Sequence, residues 1–68
     1  MLLAAYGLTA RELDVARLVL RGDSTKAIAG ALHISTHTVQ DHLKSVFDKV
    51  GVRSRRDLVG HLLAGQRG

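Results

Sequence analysis

From Leu13 to Leu20 the chain is apolar except at Asp14 and Arg17, three residues apart. At about 100° per residue, Leu13, Val15, Ala16, Leu18, Val19 and Leu20 cover more than half of a helical circumference, leaving Asp14, Arg17 and Arg21 as a narrow polar wedge. A helix so widely apolar is expected in the middle of a bundle. Thr9-Ala10-Arg11-Glu12 has the form of a capping box, and Gly22 supplies a left-handed stop, so the pattern predicts a helix over 10–21. A second, short helix is expected over 25–32 behind Ser24 as N-cap, with Ile28, Ala29 and Leu32 inward. The small run Ala29-Gly30-Ala31 admits two readings: close approach of a neighbouring backbone, or a glycine tolerated at a cost of about 1 kcal/mol.

A break at His33-Ile34 and a third N-cap at Ser35 precede a helix predicted over 36–50. Val39, Leu43, Val46, Phe47 and Val50 share an arc of about 100°. The other face carries His37, Gln40, Asp41, Lys44 and Asp48, and Gly51 stops the helix. Ser54-Arg55-Arg56-Asp57 is a weaker capping box, with Asp in place of Glu, for a last helix over 55–64; from Gly65 on, fraying is expected. On this helix Leu58 and Leu62 lie to one side and Val59 and Leu63 to the other. Either both sides are core, or one is left for a partner. The expected fold class is all-α, a four-helix bundle and a single domain over 1–68 with its core at about 8–64. Its two middle helices are joined as a helix-turn-helix.

Composition narrows the function. Ten Lys and Arg against six Asp and Glu leave the 68-residue chain at +4. Small basic domains suit nucleic acid, where neutralised phosphates release counterions. One Tyr, one Phe and no Trp argue against reading single strands by base stacking. There is no cysteine, so neither a disulfide framework nor a cysteine-ligated zinc is expected. No apolar run approaches the length of a membrane span. MLLAAYGL lacks the basic start of a signal peptide. A cytoplasmic location is therefore expected. His33, His37 and His42 do not make a metal site, because a turn separates the first and the other two are five apart. A chain this small has no room for an enzymatic pocket, so neither catalysis, a cofactor nor a small-molecule ligand is expected.

The stretch ISTHTVQDHLK, residues 34–44, crowds hydroxylated and β-branched residues at a helix start, where propensity alone would not place them. Ser35, Thr36 and Thr38 offer hydroxyls and first-turn amides to a phosphate at the positive end of the helix. Gln40, Asp41 and Lys44 then project outward on successive turns. Gln can pair with adenine, Lys with guanine and Asp with cytosine. Asp41 would otherwise hold Lys44 in position. The same face could also be no more than solvated surface.

The string Leu8-Thr9-x-Arg11-Glu12, then Gly22-x-Ser24-x-Lys26-x-Ile28-Ala29-x-x-Leu32-x-Ile34-Ser35-x-x-Thr38-Val39-x-x-His42, then Lys49-Val50-Gly51-Val52-x-Ser54-Arg55, resembles the LuxR-type (GerE-type) helix-turn-helix domain of bacterial transcription regulators. The resemblance runs from about Leu8 to Leu63. It implies a third helix that reads the major groove of double-stranded DNA and a fourth that dimerises; the surplus apolar edge beyond Leu58 and Leu62 then predicts a weak homodimer with Val59 and Leu63 near the two-fold. It implies base contacts from Gln40, Asp41 and Lys44, and phosphate contacts from Lys26 and the N-cap region, Ser35, Thr36, His37 and Thr38. The chain departs from the family at Ala27, where Glu is usual, and at Gln40, where Lys is common, so its reading face is less positive than in many relatives. Two other classes fit a small basic bundle: a sigma-factor-like promoter-binding module that docks on RNA polymerase, and a protein-interaction bundle that does not bind DNA.

Overall fold

The computed structural model describes residues 6–65, with side chains as far as Leu63. Its helices are α1 (Ala10–Arg21), α2 (Thr25–Leu32), α3 (Thr36–Val50) and α4 (Arg55–Gly65), and no strand occurs among the described residues. α4 runs one residue past its expected end. The fraying expected after it, and the MLLAA start, lie outside the described residues.

Each helix start follows from a hydroxyl placed where orphan amides need an acceptor. Thr9 closes a full capping box: its hydroxyl accepts from the Glu12 amide at 3.1 Å, and its own amide donates to Glu12 Oε1 at 2.9 Å. Ser24 accepts from the Ala27 amide at 3.1 Å, and Ala27 has no side chain with which to return the bond. Ser54 accepts from Asp57 at 3.1 Å, but no return bond from Asp57 forms among the described residues. The box expected there is half made, because Asp is one methylene too short. At the other ends, α1, α2 and α3 each close with a residue in the left-handed region, Gly22, His33 and Gly51. The next amide then reaches back to the carbonyl five residues earlier: Asp23 to Leu18, Ile34 to Ala29 and Val52 to Phe47, all at 3.0 Å. Ile34 and Val52 turn inward against the core, the apolar contact that accompanies such caps. His33 does this at φ 57° without being glycine, a conformation His tolerates better than a β-branched residue would.

The core is Val15, Ala16 and Val19 of α1, Ile28 and Ala29 of α2, Val39, Leu43, Val46 and Val50 of α3, and Leu58 and Leu62 of α4. α3 is its spine, packing on both α1 and α2. Leu13, Leu18 and Leu20 are only partly buried. The apolar wrap of α1 is therefore wider than its contact, since three neighbouring helices cannot enclose it. Gly30 is exposed, and a Cβ built there meets nothing within 4 Å. Close backbone approach is thus not its role, and the tolerated-glycine reading holds.

The residue that pattern alone misplaces is Glu12. Beyond its cap it is 5% exposed, and it binds two side chains of α3: Lys49 Nζ donates to Oε1 at 2.7 Å and Ser45 Oγ donates to Oε2. These bonds, the Lys49 ammonium first, then the Ser45 hydroxyl and the Thr9 amide, outweigh burial and lower the carboxyl pKa to about 2. Lys49 also reaches the Gly7 carbonyl at 3.4 Å. Tyr6 completes the fastening of this first segment, its hydroxyl 3.0 Å from His61 Nε2 on α4 and the two rings tilted at 6.0 Å between centroids.

Two outcomes follow. The Glu12 carboxylate has a folded-state pKa below the ordinary 4.5, so its stabilisation is complete above about pH 5 and is lost as pH falls toward 2. In thermal melts followed by circular dichroism, Glu12→Gln should be less stable than the parent at pH 7 yet lose less on acidification. Superimposable acid limbs would assign the acid sensitivity to other groups. Gly30→Ala should stabilise by about 0.5–1 kcal/mol, because an exposed helix-interior glycine is entropically costly and the added methyl has open space. Chemical denaturation measures this, and a lower midpoint would show that the methyl is not accommodated.

Candidate nucleic-acid interface

α2, the turn through His33 and Ile34 to the Ser35 cap, and α3 form one unit whose inner residues belong to the shared core. Ser35, Thr36, His37, Gln40, Asp41 and Lys44 are exposed, as is Lys26 on the first turn of α2; Thr38 is half-buried. The structure thus brings the expected site residues of α3 onto its outer face and its N-terminal turn. Gln40 and Lys44 lie one turn apart, so their side chains emerge on the same side.

The N-terminal turn is less open than its hydroxyl count suggests. Ser35 Oγ accepts from the Thr38 amide at 3.1 Å and lies 2.9 Å from Thr38 Oγ1. One hydroxyl proton is consumed between the two side chains, so the pair keeps one for an outside acceptor. Thr38 therefore helps to close the cap and is not an independent donor. Of the first amides, Thr38 binds the Ser35 side chain and Val39 binds the Ser35 carbonyl. The amides of Thr36 and His37 remain, backed by the helix dipole.

Asp41 does not hold Lys44. Its carboxylate lies 3.5 Å from His37 Nε2, one turn back, rather than on Lys44. Both groups are well exposed, so the pair is weak even with the ring protonated. It nonetheless draws the acid toward the helix start and leaves Lys44 without a carboxylate partner among the described residues. His42 is half-buried at the edge of α3, and its ring makes no hydrogen bond among the described residues. On α4, Leu58 and Leu62 are buried, Val59 is half-buried and Leu63 is 51% exposed. The two sides of that helix are therefore unequal: one is core, while on the other Val59 packs partly against the core and Leu63 stands out.

Arg55 belongs to the family string, but no role was expected of it. Arg55 donates from Nη1 to the Asp23 carbonyl at 2.6 Å and from Nη2 to Thr25 Oγ1 at 2.9 Å, tying the start of α4 to the start of α2. A clue was available. Arg55-Arg56 opens a helix, the end at which the dipole disfavours cations, so the pair needs some other reason to be there.

A short helix, a tight turn and a longer helix with an exposed polar start define a helix-turn-helix protein. Residues 6–62 match the GerE model, described as bacterial regulatory proteins of the luxR family, and the chain belongs to that family. It is 49% identical over 61 residues to the HTH-type transcriptional regulator Mb0914c of Mycobacterium bovis, covering 90% of this chain and 7% of that protein. It is 39% identical over 54 residues to the HTH-type transcriptional regulator MalT of Klebsiella pneumoniae, covering 79% of this chain and 6% of that protein. The chain thus spans less than a tenth of the length of these relatives. No solved structure matches it.

Proposed function

We propose that this chain is the DNA-reading domain of a bacterial transcription regulator. It binds double-stranded DNA with the start of α3 in the major groove and pairs with a second copy through α4. The observation that carries the reading is the outer face of α3. Gln40 and Lys44 are exposed one turn apart, have no partner among the described side chains, and stand behind an N-terminal turn that keeps two amides and a hydroxyl for phosphate. Family membership and the naming of the relatives as transcriptional regulators agree with it. In this reading Gln40, Lys44 and Asp41 meet base edges, while Lys26, Thr36, His37 and the Ser35–Thr38 pair hold phosphates. One copy would engage one half-site, and a dimer would place two inverted half-sites about 10 bp apart. The domain then works at the bacterial chromosome.

Selection of bound duplexes from a random pool supplies the preferred site, and titrations on that site and on random duplex separate the contacts. Gln40→Ala or Lys44→Ala should lose about 1–3 kcal/mol on the preferred site and much less on random DNA. Lys26→Ala should weaken both alike and lower the salt slope by about one. Asp41→Ala should raise affinity for random duplex, since a negative charge leaves the interface. Equal losses on both duplexes for Gln40→Ala and Lys44→Ala would make the face a solvated surface.

Dimerisation has its own readout. Leu63→Glu should abolish self-association in sedimentation at high concentration while leaving the melting temperature within a few degrees, because the side chain is exposed. An exclusively monomeric parent, free and DNA-bound, would exclude pairing through α4.

A further inference from the structure

Arg55 borders a groove of about 370 Å³ whose remaining walls are Thr25 of α2 and Gln40, Leu43, Lys44 and Phe47 of α3. The supposed dimerisation helix therefore begins inside the same depression as the two residues proposed to read bases. A guanidinium has five N–H donors. Two are used within the protein, on the Asp23 carbonyl and the Thr25 hydroxyl, and three have no partner among the described residues. Both acceptors are neutral. The nearby Asp23 carboxylate is occupied by Arg21 at 2.6 Å, and no carboxylate of the described residues lies within ion-pair distance of Arg55. The charge of Arg55 is thus held in place and left uncompensated.

We propose that Arg55 binds a phosphate of the DNA backbone in this groove, which makes the start of α4 part of the DNA interface. The proposal rests on the reading that α3 enters the major groove. The groove suits a sugar–phosphate unit on two counts. Leu43 and Phe47 give it an apolar floor that a deoxyribose can cover, and Arg55 and Lys44 give it a positive rim. Lys26 follows Thr25 directly and flanks the same strand. The bonds to Asp23 and Thr25 fix the plane of the guanidinium before DNA arrives, so little side-chain freedom is lost on binding. A cation at a helix start is otherwise unfavourable; a phosphate on it reverses the sign of that interaction.

The test compares the parent with Arg55→Gln and Arg55→Lys on preferred and random duplexes over a range of salt, with circular dichroism on each variant. Arg55→Gln should lower the salt slope by about one on both duplexes, and Arg55→Lys should keep the parent slope. A folded Arg55→Gln with the parent slope would overturn the proposal and leave Arg55 a fastening between two helices. A parent that binds no duplex at low salt would overturn the DNA reading itself. Should Arg55→Gln not fold, the Nε–H resonance of Arg55 in the parent decides. On titration with random duplex at low salt it should shift and saturate together with the Lys26 amide; an unmoved Arg55 resonance beside a shifting Lys26 would refute the contact.

Discussion

A carboxylate shut inside so small a bundle must find its hydrogen bonds within the chain, and the position of Glu12 constrains the rest of the fold. Its oxygens are met by the Thr9 amide, the Ser45 hydroxyl and the Lys49 ammonium. The same residue therefore ends the approach to α1 and sets α1 against the C-terminal half of α3. Ser45 and Lys49 lie on one line of α3. By helical geometry Lys44 and Gln40 are about 120° and 160° around from it. Clamping that line to α1 turns the two polar side chains outward. Removing one partner of such a buried group costs more than the pair itself contributes, so this rotation is well defined.

α2 depends on its surroundings in another way. Eight residues are too few to hold a helix in water alone. Its persistence comes from Ser24 at one end, the His33 cap and Ile34 at the other, and Ile28 and Ala29 in the core. Arg55 adds a link from α4 to its first turn. The angle between α2 and α3 is thus set by the ends of the helices and their contact with α4 as much as by the turn between them.

The elements were legible because each has local punctuation: a hydroxyl at its start, a glycine or a left-handed residue at its end, and a period of 3.6 between. That logic found Thr9, Ser24, Ser35, Gly22 and Gly51 and the division of α4 into Leu58 and Leu62 against Val59 and Leu63. It did not find the partners of Glu12, which are 33 and 37 residues away. Nor did it find the bonds of Arg55 or the contact between Tyr6 and His61. Each depends on which helices become neighbours, and periodicity within one helix carries no information about that. The outward residues of α3 were identified correctly as a face, but not their local pairings. Whether Asp41 leans toward His37 or Lys44, both within one turn, is a matter of rotamer rather than of spacing.

The hydrogen bond between Tyr6 and His61 also sets where the backbone joins the bundle. With Gly7 held by Lys49, the chain enters beside the last turn of α3, about 13 Å along the helix axis from Gln40. The attachment point is therefore remote from the polar turn at Ser35. Whatever is fused ahead of Tyr6 therefore starts near the end of α3 opposite Gln40 and Ser35. Under the proposed function, the point of fusion and the point of DNA contact then stand at opposite ends of one helix.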